Sequence, residues 1–307
     1  SDVCSSDLSR CGCSAPMIDW PSTLINEIAK GRCVLFLGAG VSATASNPAG
    51  NRPPDWKTFL SAACSLVKDP TKRAAVDALI SEGKLLVALQ AIKDLSDQAD
   101  YHAFLDSHFN SPHFEPSELH RIINALDARI VITTNFDKIY ERYCFSAPGG
   151  MDAFKIIDYR AAILADELRS DTRLIVKAHG TIDKIDEMIF TKAQYHEAKR
   201  DYPRFYDVLR AIFLTNTIVF IGCGLEDPDI LLLLEDVRIS GRQSKPHYAL
   251  IKQGKHEFMI RDWRATYNIA VIEYGPDHDD LKGELQNLLD QVESARADLT
   301  GAIPAGV

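Results

Sequence analysis

A chain of 307 residues with 46% hydrophobic and 25% charged residues has the composition of an ordinary globular protein, long enough for one large α/β domain or two small ones. Its 43 acidic residues against 34 basic ones leave a formal net charge of −9, and no Lys/Arg run interleaves with aromatics, which argues against direct nucleic-acid binding. The longest apolar runs, Val34–Leu37, Thr217–Ile221 and Ile230–Leu234, fall far short of the roughly 20 residues of a membrane helix, so no membrane contact and a cytoplasmic location are expected.

Residues 1–16, SDVCSSDLSRCGCSAP, have no apolar period, no basic n-region and no hydrophobic h-region. They are neither a signal peptide nor a core element and read as a non-native or disordered leader. One domain is expected over 17–300, with 301–307 as a frayed tail. Beyond the leader, Cys33, Cys64, Cys144 and Cys223 are widely spaced and form no CxxC pair, so buried reduced thiols are expected and a zinc site is not.

Short β-rich apolar runs recur at Cys33–Leu37, Arg129–Thr133, Phe154–Ile157, Leu174–Ala178, Thr217–Ile221, Tyr248–Ile251 and Ala270–Glu273, with helical patterns between them. That alternation predicts a Rossmann-like α/β fold, a parallel sheet with helices on both faces. VLFL and IVFI are apolar at every position, as strands covered on both faces must be. Between the first two runs lie about ninety residues without a convincing strand, which predicts an inserted helical subdomain over about 46–128. Its helical patterns are Asp55–Val67, Thr71–Ser81, Leu85–Ile92, Asp97–Phe109 and Ser117–Leu126, and its opening stretch, Ser46–Pro54, reads as a loop able to close over a ligand. Near the C-terminus Leu281, Leu285, Leu288, Leu289 and Val292 form one apolar helical stripe suited to packing on the domain.

Four motifs follow four of these strands. Gly38-Ala39-Gly40-Val41-Ser42 is a glycine turn through which backbone approaches a pyrophosphate, with the following amides and the Ser42 hydroxyl as donors. Ala43 stands where the third glycine of a dinucleotide fingerprint belongs, which strains a dehydrogenase reading. Thr133-Thr134-Asn135-Phe136-Asp137 opens a helix at Asp137–Tyr143 and reads either as a capping turn or as a set of ribose- and amide-binding groups. Lys177-Ala178-His179-Gly180 presents a histidine able to act as a base near neutral pH. Ile221-Gly222-Cys223-Gly224-Leu225-Glu226-Asp227-Pro228 is a second glycine turn, leading into a helix at Asp229–Val237; its Cys223 reads as structural. Each motif alone admits a purely structural role, but ligands bind outside the carboxyl ends of parallel strands, and all four are placed there.

In this order and spacing GAGVS, TTNFD, KAHG and IGCGLEDP resemble the sirtuin-like family, and within it the zinc-free bacterial branch of NAD-consuming antiphage effectors, including Thoeris-type and helicase-partnered systems. The resemblance spans about Met17 to Tyr274. It implies NAD as substrate and no metal. Asn135 and His179 would be catalytic, and Gly38, Ala39, Gly40, Ser42, Asp137, Gly222 and Gly224 would bind the dinucleotide. It further places Asp137 near the nicotinamide or its ribose, the adenine near Tyr248–Lys252 or Tyr274, and Pro54-Asp55-Trp56 where deacylating relatives keep a segment beside the nicotinamide. The expected reaction is hydrolysis of the nicotinamide N-glycosidic bond to ADP-ribose or its cyclic form, in a homo-oligomer gated by a helicase-like or phage-derived partner. The missing four-cysteine module and TTN in place of TQN disfavour protein deacylation. An NAD- or ADP-ribose-sensing module without turnover remains the alternative from another class.

Overall fold

The computed structural model describes residues 18–110, 113–148, 150–225, 234–235 and 245–301. All seven expected strands form: β1 (Cys33–Leu37), β2 (Ile130–Thr133), β3 (Phe154–Asp158), β4 (Arg173–Lys177), β5 (Thr217–Ile221), β6 (His247–Lys252) and β7 (Ile269–Tyr274). They pair in parallel throughout, in the order β3-β4-β2-β1-β5-β6-β7. The fold is Rossmann-like α/β.

Successive strand side chains point to opposite faces, so a run apolar at every position feeds two cores. Val34, Phe36, Ile132, Ile218 and Phe220 belong to one buried cluster, and Leu35, Leu37, Val131, Ile175, Val219 and Ile221 to the other. Helices cover the second face: α1 (Ser22–Ala29) contributes Leu24 and Ile28, and the C-terminal helix Asp280–Gly301 contributes all five residues of the predicted stripe. On the first face Leu209, Ile212 and Phe213 of helix Pro203–Thr215 and Trp263 of helix Glu257–Tyr267 pack down.

Between β1 and β2 the chain forms α2 (Ala39–Ser42), α3 (Trp56–Ala63), α4 (Pro70–Ser81), α5 (Leu85–Leu95), α6 (Gln98–Phe109) and α7 (Glu118–Ala125). Helices α3 to α6 build a third apolar cluster that also takes in Phe136, Ile182, Met188 and Phe190 from beyond the strand ends. Capping defines their starts: the Asp55 carboxylate accepts from the Thr58 amide at 2.7 Å, and those of Asp69 and Asp97 accept from the first-turn amides of α4 and α6. The predicted helix at Asp55–Val67 ends earlier, because Cys64–Leu66 tighten into a 3-10 turn. The helix expected from Asp137 starts two residues later, as α8 (Ile139–Ser146), since the Asp137 carboxylate takes the Ile139 amide at 2.9 Å. Of the helix expected at Asp229–Val237, only Leu234 and Glu235 lie within the described residues.

After β1 the chain moves to one side of the sheet, and after β4 it crosses to β5 on the other side of β1. The switch in strand order falls between β1 and β5, and open parallel sheets take ligands outside the carboxyl ends of strands at such a point. Among the described residues no helix is long and apolar enough to cross a membrane.

Candidate functional site

The four motifs follow β1, β2, β4 and β5, and these strands are contiguous in the sheet as β4-β2-β1-β5. Their registers align the exits. Leu37 pairs with Thr133 on one side and Ile221 on the other, and Thr133 pairs with Lys177. Asn135 and His179 each lie two residues past the paired positions Thr133 and Lys177 on neighbouring strands. The order along the crevice is therefore His179, Asn135, Gly38, Gly222.

Asn135 is held by its amide. Its Nδ2 donates to the Gly38 carbonyl at 2.9 Å and to Ser42 Oγ at 3.0 Å, while its main-chain N–H donates to Thr133 Oγ1 at 3.0 Å. Turning the amide over would face Oδ1 against the Gly38 carbonyl, two acceptors without a hydrogen between them. Both amide hydrogens are thus engaged by protein, and Asn135 presents Oδ1, an acceptor, as its remaining polar atom. The Ser42 hydroxyl donates to Asp137 Oδ2 at 2.7 Å, so Asn135, Ser42 and Asp137 form a directed chain of donors ending on a carboxylate. Ser42, expected as a phosphate donor, links Asn135 to Asp137 in this structure. Both Ser42 and Asp137 are buried, whereas Ala39 and Gly40 are exposed.

His179 is buried, and burial pushes its imidazole down to about 4, so it is neutral at physiological pH. Its carbonyl accepts from the Ile189 amide at 2.9 Å, which folds the segment after Gly180 back beside it. Phe136, between Asn135 and Asp137, turns the other way and stacks on Phe190 at 4.1 Å between ring centroids. The Asn135 turn is therefore anchored in the apolar cluster of α3 to α6 as well as in the sheet.

Three groups behind the crevice escaped sequence reasoning. Lys177 Nζ donates to the Asp137 carbonyl and to Glu141 Oε1, both at 2.6 Å. His120, on α7, is wholly buried; its Nδ1 accepts from the Ser117 amide at 3.1 Å, and its Nε2 has no hydrogen-bond partner among the described residues. The only signal for Lys177 was a charge inside an otherwise apolar strand end. Glu141 and His120 fall on helices whose other residues set the pattern.

The two glycine turns interlock through backbone. Gly38 N donates to the Ile221 carbonyl at 3.0 Å and Gly40 N to the Gly222 carbonyl at 2.9 Å. Gly222 has φ +65°, and a Cβ there would lie 2.5 Å from the Val41 amide nitrogen. Gly222→Ala is accordingly expected to lose about 2 to 3 kcal/mol, from left-handed strain plus overpacking against backbone. Urea unfolding of the two proteins measures it, and equal midpoints would contradict the interlock. A Cβ at Gly224 would meet nothing within 4 Å, so that position lies open. Residues 226–228 of the fourth motif lie outside the described residues.

Other candidates take structural places. The Trp56 ring meets Phe59 and Phe190 edge-on at 5.8 and 5.9 Å, which anchors α3. The Tyr248 hydroxyl pairs with Thr23 Oγ1 at 2.9 Å under α1, and the Tyr274 hydroxyl with His278 Nδ1 at 2.9 Å. Cys223 Sγ lies against the Phe36 and Ile221 carbonyls, and Cys33, Cys64 and Cys144 are buried thiols whose burial raises them, Cys64 and Cys144 to about 12. Among the described residues no cluster of three His, Cys, Asp or Glu could hold a metal ion.

Residues 129–272 match the family described as the SIR2-like domain. The chain is 26% identical over 230 residues to "NAD(+) hydrolase ThsA" of Enterococcus faecium, covering 74% of this chain and 44% of that protein. It is 24% identical over 271 residues to the protein of the same name in Cytobacillus dafuensis, covering 86% and 49%. To "Defense-associated sirtuin 2" of Bacillus subtilis it is 27% identical over 215 residues, covering 68% and 19%. The chain thus spans less than half the length of each of these relatives.

Proposed function

The chain carries a SIR2-like domain, and from that premise we propose that it is an NAD hydrolase, cleaving the nicotinamide N-glycosidic bond with Asn135 and His179 as the catalytic pair. The observation that carries this reading is the adjacency of four motif-bearing strand exits, β4-β2-β1-β5, at the switch of the sheet.

The nicotinamide nitrogen of NAD is already positively charged, so the base leaves neutral and needs no general acid. The site has to hold the ribose, tolerate an oxocarbenium-like charge and deliver water. Asn135 Oδ1 accepts from a ribose hydroxyl or from that water. Neutral His179 accepts a hydrogen bond from the nucleophile as its oxygen bonds to the anomeric carbon. Asp137 holds the Ser42–Asn135 chain in place and supplies negative potential near the developing cation. The Ala39–Gly40 backbone, with the second turn at Gly222 and Gly224 beside it, receives the pyrophosphate. Residues 17–300 form the NAD-binding unit, with the helices of 46–128 as its insertion.

The relatives' names, NAD(+) hydrolase in two and defense-associated sirtuin in the third, support a place in defence with NAD depletion as the output, antiphage on the motifs' resemblance. An enzyme that destroys a central cofactor needs restraint, and assembly into a homo-oligomer, or a helicase-like or phage-derived partner, supplies it in this reading. Cytoplasmic residence follows from the substrate. Incubation with NAD and mass identification of products tests the reaction: nicotinamide with ADP-ribose or its cyclic form is expected. Saturable NAD binding without nicotinamide release would replace hydrolysis by sensing, and NAD loss only with an acyl-lysine peptide would replace it by deacylation.

A further inference from the structure

Lys177 ends β4 two residues before His179, and Asp137 follows Asn135 by two. The Lys177 ammonium crosses between them, donating to the Asp137 carbonyl at 2.6 Å and to Glu141 Oε1 on α8 at 2.6 Å. The two side chains are 1% and 5% exposed. Burial raises the Glu141 carboxyl, and the Lys177 charge opposes that shift. Buried ion pairs of this kind contribute little net stability compared with an apolar pair of the same size, so stability alone gives no reason for a charge in an otherwise apolar strand end.

Position does. The sheet ladder between β2 and β4 ends with the Ala178 amide on the Thr133 carbonyl at 2.9 Å, before either catalytic residue. Past that rung, the described main-chain tie across the two exits is the Ile182 amide on the Phe136 carbonyl at 3.0 Å. The ammonium is the buried side-chain tie, beside the more exposed Lys138–Asp183 ion pair at 2.5 Å farther out. It fixes the carbonyl at the far end of the Asn135 turn to the strand that carries His179. Groups that act together on one ribose and its nucleophile need their separation held to a fraction of an ångström.

We propose that Lys177, charge-balanced by Glu141, is a positioning residue that clamps the Asn135 turn to the His179 strand and so sets the spacing of the two catalytic groups. This rests on the NAD hydrolase reading above. The test is the double variant Glu141→Leu with Lys177→Met, which removes the pair without leaving a lone buried charge. Two readouts are taken. In hydrogen exchange, residues 134–139 and 178–181 exchange at least about tenfold faster, while 33–37 and 217–221 keep parental rates. In steady-state NAD cleavage, kcat falls about a hundredfold with KM within about threefold, the pattern of a lost geometry and not of lost binding.

Unchanged exchange at both turns overturns the clamp, whether or not the parent cleaves NAD. Faster exchange with parental kcat overturns its catalytic purpose. A parent that releases no nicotinamide defeats the hydrolase reading instead, and the exchange arm then decides the clamp by itself. Should the double variant not fold, Lys177→Gln with Glu141→Gln serves: the amides can bond each other, but a Gln at 177 is too short to reach the Asp137 carbonyl, and the same losses are expected.

Discussion

Asn135→Ala and His179→Ala are each expected to lower nicotinamide release by about a hundred- to ten-thousand-fold, with the fold intact. The two losses have different causes. Alanine at 135 removes the Oδ1 acceptor and also leaves the Gly38 carbonyl and Ser42 hydroxyl without the amide that joined them. Asn135→Asp separates these effects. An aspartate keeps an acceptor of the right size but sets a carboxylate oxygen against the Gly38 carbonyl where Nδ2 lay at 2.9 Å, so it is expected to do no better than alanine.

On the proposed mechanism His179→Ala removes the acceptor for the nucleophile's proton, and the emptied volume admits water without orienting it. Nicotinamide release by chromatography, with ADP-ribose affinity by calorimetry as a control on the pocket, measures all three variants. Parental turnover in Asn135→Ala or His179→Ala would remove that residue from the mechanism. Loss of ADP-ribose binding together with activity would reassign the residue to binding.

Acidification is expected to destabilise the protein steeply between pH 6.5 and about 4. Burial pushes His120, His179 and His247 down to about 4. Geometry agrees for two of them: His120 Nδ1 accepts from the Ser117 amide and His247 Nδ1 from the Ile218 amide, both at 3.1 Å, and a ring protonated at Nδ1 can accept from neither. Above pH 6.5 both folded and unfolded chains carry these rings neutral. As pH falls through 6.5 the unfolded chain takes up protons that the folded chain refuses, so the unfolding free energy falls until about pH 4, where the folded rings protonate as well.

Each ring contributes a slope of at most about 1.4 kcal/mol per pH unit, so three together take away about 4 kcal/mol per unit, against a total stability on the order of 10 kcal/mol. Glu141 works in the opposite direction. Its carboxyl is raised by burial, so as pH falls the folded chain gains a proton before the unfolded one and recovers part of the loss. Urea midpoints from pH 7.5 to 4.5 test this, with His247→Gln, remote from the Asn135 and His179 turns, expected to reduce the slope by about a third. A midpoint flat across that range would contradict neutral burial of the three rings.

Much of this protein was determined locally. A strand covered on both faces must be apolar at consecutive positions, and CVLFL, IVIT and TIVFI say so without reference to anything distant. The stripe Leu281 to Val292 likewise carried its burial in its own period. A glycine turn or a TTNFD after such a strand also identifies itself, because turn chemistry depends on a few consecutive residues.

What no local pattern held is which exits become neighbours. The motifs follow β1, β2, β4 and β5 in sequence, yet only the order β4-β2-β1-β5 lays His179 beside Asn135 and Asn135 beside the first glycine turn. The roles of side chains were decided at the same level. The amide of Asn135 is oriented by a carbonyl 97 residues away, the Ser42 hydroxyl is turned to a carboxylate 95 residues away, and Lys177 finds Glu141 across 36. Hydrogen bonds and ion pairs are short-ranged and directional, so their partners exist only once the sheet has been assembled. The sequence alone determined the strands and the chemistry at their ends; the fold decided what each of those groups faces.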